Sequence, residues 1–222
     1  MTVEETIKEI RGHLRKTMNG VTSTVMRQSG YTYKMNFGSP IHKVNKIAAL
    51  YQPNVELAET LWQMDVRELK LLATSLYPLE AFTEEKACQW IESTPYIEIA
   101  RPLVAHLISK KPYAEHLAVI YMQHLAPVQQ AAGFLLVAHL SMAKRKITDD
   151  TVKVLFEQAH QVMTNGLSIL QSCASLALKR YARLEDTDTK GLLETFSDFS
   201  ESDSPVWQEI YNDLKFDIDY FQ

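Results

Sequence analysis

The sequence predicts an all-α protein, and three observations carry that reading. The chain of 222 residues holds only 7 Gly and 8 Pro, too few turn-forming residues for a sheet of tight antiparallel hairpins. Apolar residues recur at helical rather than alternating spacing along most of its length. The prolines fall mainly near the starts of those apolar segments, where the missing N–H costs a helix little. With 46% hydrophobic and 23% charged residues, the chain has the composition of a globular protein rather than a disordered one.

The elements follow in order. Thr2 opens a first helix with Glu5 as its capping-box partner, and Asn19-Gly20 reads as the stop. A short helical segment, 21–30, comes next. Residues 31–38 have no helical period and read as a loop, after which Ser39 and Pro40 supply the N-cap and first position of a helix reaching about Leu50. Pro53, Pro78, Pro95, Pro112 and Pro127 then partition the chain into apolar segments at 54–64, 66–77, 84–93, 96–109, 113–125, 128–143, 149–165 and 167–184. Pro102 falls inside one of them and predicts a kink or two short helices. Consecutive segments pair with a period of roughly 35–40 residues, which fits an α-solenoid of the HEAT or armadillo kind; on period alone a helix bundle fits too.

Charge is distributed unevenly. Residues 1–46 hold eight basic and three acidic residues, whereas residues 184–222 hold two basic and eleven acidic ones, so the net charge of −4 arises entirely in the tail. Cys88 and Cys173 lie alone in apolar helical segments, so neither a disulfide framework nor a zinc site is expected. No stretch has the length and apolarity of a signal peptide or a membrane span, and a reduced cytoplasmic protein is the expectation.

Residues 30–76 contain Asn36-Phe37-Gly38-Ser39-Pro40, then Glu56-Leu57-Ala58-Glu59-Thr60-Leu61-Trp62, then Arg67-Glu68-Leu69-Lys70-Leu71-Leu72-Ala73. In order and spacing this resembles the AlkD-like DNA alkylation repair glycosylases, where an N-F-G loop leads into a helix, an L-A-x-x-L-W segment follows and an R-E-x-K/R-x-x-A helix closes the first repeat. Val128-Gln129-Gln130-Ala131-Ala132-Gly133-Phe134 resembles a later segment of the form V-R-R-A-G-F, and the likeness extends over about residues 20–184. The resemblance implies a HEAT-like α-solenoid of antiparallel helix pairs over residues 1–184, with duplex DNA in a concave groove, followed by an acidic, aromatic-containing extension over 185–222.

The resemblance also implies a site for cationic N3- and N7-alkylated purines: an aspartate flanked by two tryptophans, with an arginine nearby. Aromatic faces attract a cationic base, and a carboxylate stabilises the positive charge that develops on the sugar as the glycosidic bond breaks. Here Tyr96 stands at the position of the first tryptophan, Ala100 at the aspartate, Gln130 at the arginine and Leu176 at the second tryptophan. Glu98 is no substitute, because two residues along a helix turn it about 200° from Ala100. No confident catalytic residue remains.

The histidines form no H-E-x-x-H pattern, and no metal or other cofactor is expected. Candidate DNA contacts are Lys34, Lys43 and Lys46, then Lys110 and Lys111, Lys144, Arg145 and Lys146, and Lys179, Arg180 and Arg183. The later clusters lie near helix C-termini, where cations also complement the helix dipole. In the tail, Ser204-Pro205 starts an amphipathic helix that caps the last repeat by docking on it; alternatively the acidic tail folds toward the basic N-terminal side and screens the DNA face, or binds a partner. The expected function is that of a catalytically depleted DNA-binding or interaction scaffold. The alternative is an active glycosylase with a rearranged site, Tyr96 stacking on the base and Gln130 near the sugar-phosphate. A third reading is a solenoid that binds a protein or peptide. No membrane partner is expected.

Overall fold

A computed structural model describes residues 2–165 and 168–221. Among them every regular element is helical, and the chain forms two compact units, Met1–Trp90 and Ile91–Gln222.

The first unit contains α1 (Val3–Lys16), α2 (Gly20–Gln28), α3 (Ile41–Ala48), α4 (Val55–Gln63), α5 (Arg67–Leu76), a 3-10 turn at Leu79–Ala81 and the start of α6 (Glu84–Glu92). The Thr2/Glu5 capping box is formed at α1. Asn19 does not end that helix but opens the next, its side chain accepting the Thr22 N–H. Similarly, α3 begins one residue later than expected, with Pro40 rather than Ser39 at the N-cap. The Ser39 hydroxyl is drawn instead into a pair with Thr17 at 2.7 Å, leaving it no role as a cap.

The N-F-G-S-P stretch is held by α5. Glu68, fully buried, accepts the N–H groups of Phe37 (3.0 Å) and Ser39 (3.2 Å) and pairs with Arg67 at 3.0 Å. Arg67 in turn donates to the Ser39 carbonyl, so the charge pair satisfies both polar faces of one loop. Gly38 takes φ +66, and a Cβ there would overlap the Asn19 carbonyl. Trp62 and Trp90 stack at 4.0 Å and 3° with Tyr77 and Phe82 edge-on to Trp90, and the Lys70 ammonium lies 5.0 Å over Trp62. Burial holds the Lys70 ammonium below its ordinary pKa despite the charge of Asp65. These residues form a core, in which the resemblance motifs serve packing.

The second unit contains α7 (Ile97–His106), α8 (Ala114–Met122), α9 (Pro127–Met142), α10 (Asp149–Asn165), α11 (Ser168–Ala182), α12 (Thr189–Thr195), α13 (Ser197–Ser200) and α14 (Pro205–Phe221). The expected start of α11 at Leu167 lies outside the described residues. Pro102 neither breaks nor divides α7; the chain departs from it at Leu107 and continues as a 3-10 turn, Ile108–Lys110. Helix α9 packs against α7, α8 and α11. Its sequence is apolar all round, as a helix enclosed on several sides requires. Gly133 permits the tightest of these contacts: a Cβ there would overlap the backbone nitrogen of Met122 and lie 2.6 Å from the Tyr121 carbonyl carbon.

The tail docks in two parts. Leu192, Phe196 and Phe199 are fully buried, and Asp198 meets His160 of α10 at 3.0 Å. Helix α14 then lies along α11 with only Leu214, Asp217 and Ile218 buried among its seventeen residues, while Trp207 stacks on Phe199 at 4.8 Å. The polar partners seen for the tail outside itself are thus on α10 and α11.

Two substitutions test these supports by chemical denaturation. Glu68→Ala leaves the Arg67 charge and two loop N–H groups without their acceptor, and is expected to cost about 3–5 kcal/mol. Gly133→Ala gains helix propensity of up to about 1 kcal/mol, but pushes α8 off α9; a net loss of about 2 kcal/mol or more is expected.

Candidate nucleic-acid interface

Helices α7, α9 and α11 lie side by side and carry all four positions to which the resemblance assigns chemistry. Tyr96 is the half-exposed N-cap of α7. Ala100 is 1% exposed and packs inside the unit, so its position offers no opening to a ligand, and Glu98 is on a more exposed side of the helix. Gln130 donates its amide to the Met122 carbonyl at 2.9 Å, satisfying the end of α8. Its neighbour Gln129 is buried and donates to the carbonyls of Ile91, Glu92 and Thr94. Leu176 is half-exposed on α11. These positions thus lie on three neighbouring helices, and none of the four residues is a carboxylate.

It does present a cation that the sequence reading passed over. Arg101 is exposed on α7 and reaches the Cys173 sulfur of α11 at 3.7 Å. The only signal in the sequence was its place one residue after Ala100, since a reach across helices leaves no periodic trace. Burial raises the Cys173 thiol pKa, partly offset by Arg101. Burial lowers His106 and His139, and cationic neighbours lower them further: Lys110 acts on His106, and His106 and Arg101 act on His139. The uncharged form of both imidazoles is favoured as a result.

Beside this layer two of the predicted basic clusters become one. The Arg145 guanidinium donates to the carbonyls of Lys111 (3.1 Å) and Ser109 (3.4 Å), tying the loop after α9 to the turn after α7. Lys110, Lys111, Lys144, Arg145 and Lys146 are thereby gathered from segments more than thirty residues apart. Lys144 adopts φ +54, which turns the chain sharply out of α9. Lys144, Arg145, Lys146, Lys153 and Arg183 line a cleft of about 700 Å³ together with Phe156, Tyr181, Glu185, Asp186 and Asp188.

Glu115 fastens the next segment. Its carboxylate accepts the Thr148 N–H (2.8 Å) and the hydroxyls of Thr148 (2.8 Å) and Thr151 (2.9 Å). Burial by itself would raise its pKa, but these bonds and the Arg145 charge outweigh burial and hold it below the ordinary 4.5.

The remaining predicted cations divide by unit. Lys34, Lys43 and Lys46 are exposed on the first unit. On α11, Lys179 pairs with Asp213 and Arg183 pairs through two nitrogens with Asp217, its Nε donating at 3.0 Å. Arg183 also lies over the Phe221 ring at 3.7 Å, and its hydrogen bonds to Asp217 raise its pKa. Arg180 is half-exposed. Among the described residues no helix is long and apolar enough to cross a membrane.

A depressed carboxylate pKa stabilises the fold above its unfolded value and loses that contribution as pH falls through the folded one. Glu115→Gln is therefore expected to lower stability by about 1–2 kcal/mol at pH 7. The difference from wild type should shrink progressively below about pH 4.5, as urea melts at pH 7 and pH 3.5 would register.

No protein-family model and no curated protein matches the chain. A solved structure does: it represents a family described as related to the HEAT-like repeat DNA glycosylases, with affinity for branched DNA structures. The two chains are 16% identical, and the match covers 97% of this chain and 95% of the other with a TM-score of 0.75. At that identity the likeness shows the fold, and the chain has the HEAT-like α-solenoid architecture of antiparallel helix pairs shared with the glycosylase-related proteins.

Proposed function

We propose that this chain binds DNA as a HEAT-like scaffold and does not excise bases. The observation that carries the binding is the convergence of Lys110, Lys111, Lys144, Arg145 and Lys146, which Arg145 organises beside the α7–α9–α11 layer. Phosphate recognition needs cations gathered on one face, not a particular base-reading residue. Loss of excision is inferred from Ala100: a buried methyl group occupies the position where the resemblance calls for an aspartate, and the Gln130 amide is bonded to a helix end. Without a carboxylate to stabilise the developing sugar cation, a glycosylase would lose orders of magnitude in rate.

The solved neighbour's described affinity for branched DNA makes a four-way junction the probe to set beside a linear duplex. Affinity is measured by fluorescence anisotropy between 50 and 200 mM salt. Binding whose logarithm falls steeply with log salt is expected, and Lys110→Gln/Lys144→Gln/Lys146→Gln should weaken it and reduce the slope by about 2.7. No release of N3- or N7-alkylated purine is expected from the same preparations. Binding to neither probe, or binding unaffected by salt, would remove the DNA reading and leave a scaffold for protein or peptide.

A further inference from the structure

Resting on that DNA-binding reading, we propose that Lys179 and Arg183 form a second phosphate-contact site on α11, and that the chain's own helix α14 occupies it as an internal competitor for DNA.

The site lies on a defined stripe. Ser172, Leu176, Lys179 and Arg183 follow one another at spacings of three and four residues and so share a face of α11. All four are at least partly exposed, whereas Cys173, Ala174, Ala177, Leu178, Tyr181 and Ala182 on the other side are buried. The stripe passes through Leu176, one of the positions on the α7–α9–α11 layer, and ends in two cations.

Helix α14 meets that stripe with anions in register. Lys179 takes Asp213 and Arg183 takes Asp217, so an i, i+4 pair of cations faces an i, i+4 pair of carboxylates. Four residues of helix advance about 6 Å, close to the roughly 7 Å by which two nucleotide steps advance a strand along the duplex axis. Two carboxylates thus stand where two phosphates of one strand would meet the same side chains. Arg183 contributes both Nε and Nη2 to Asp217, the forked geometry that also suits a phosphate.

Most of α14 is exposed. Phe196 and Phe199 anchor the preceding helices in full burial, but α14 buries three side chains and leaves Phe216 and Tyr220 at 70% and 71% exposure. Detachment of α14 would unpair the two cations and lift Trp207 from Phe199. The acidic excess of residues 184–222 then weakens DNA binding through two specific ion pairs as well as through bulk repulsion.

The test compares full-length variants by anisotropy with the duplex and the four-way junction from 50 to 200 mM salt, after circular dichroism confirms folding. Asp213→Asn/Asp217→Asn frees both cations and should steepen the salt slope by about 1.8. Affinity at 50 mM should rise, with a gain that falls about tenfold by 200 mM. Glu209→Gln/Asp219→Asn removes the same charge from exposed positions on the same helix and should leave the slope at the wild-type value. Adding Lys179→Gln/Arg183→Gln to the first variant should abolish the gain. Should that variant fold poorly, Asp213→Asn alone, at an exposed residue, should steepen the slope by about 0.9. A slope equal to that of the charge-matched control overturns the competitor role while the DNA reading stands. Absence of salt-dependent binding in wild type and every variant overturns both.

Discussion

The second unit depends on one constraint: α9 must be approached closely from several sides at once. Helices α7, α8 and α11 all pack on it, and its sixteen residues include eleven buried ones. Such a helix cannot hold a charged face, and its sequence from Pro127 to Met142 contains no Lys, Arg, Asp or Glu. Its polar groups are instead satisfied locally, Gln129 and Gln130 both giving their amides to backbone carbonyls. Where the resemblance would place arginines, this chain has two residues that close helix ends. The cations are displaced outward to the loops, where Arg145 can collect them.

The first unit rests on a comparable economy of polar groups. Glu68 and Arg67 sit side by side on α5 and between them satisfy the N–H groups of Phe37 and Ser39 and the carbonyl of Ser39. The stretch that makes the sequence recognisable is therefore a lock between a loop and a helix, and Trp62 lies in the aromatic core rather than on a binding face. Motifs of this kind mark an architecture because their side chains serve its packing and its loop contacts. A fold can thus be legible in sequence while its chemistry is not.

Helix order and most helix ends were legible because capping and proline placement are local chemistry, as at Thr2 and Pro127. The exceptions arose where a distant partner intervened. Ser39 would cap α3 if Thr17 did not hold its hydroxyl, and Asn19 reads equally well as a stop or a start until α2 is seen to follow. The basic clusters were visible as clusters, but their convergence depends on Arg145 reaching carbonyls that no periodicity connects to it. Likewise the i, i+4 spacing of Lys179 and Arg183 and of Asp213 and Asp217 is plain in each helix, yet their register is a tertiary fact.

The three tryptophans are distributed in a way that gives the molecule two independent optical signals. Trp62 and Trp90 are stacked face to face in the core of the first unit, while Trp207 belongs to α14 and is stacked on Phe199 of the second. Emission from the stacked pair reports the integrity of the first unit. With those two replaced by phenylalanine, the remaining indole would report whether the terminal helix is seated or released, in real time and without an attached dye.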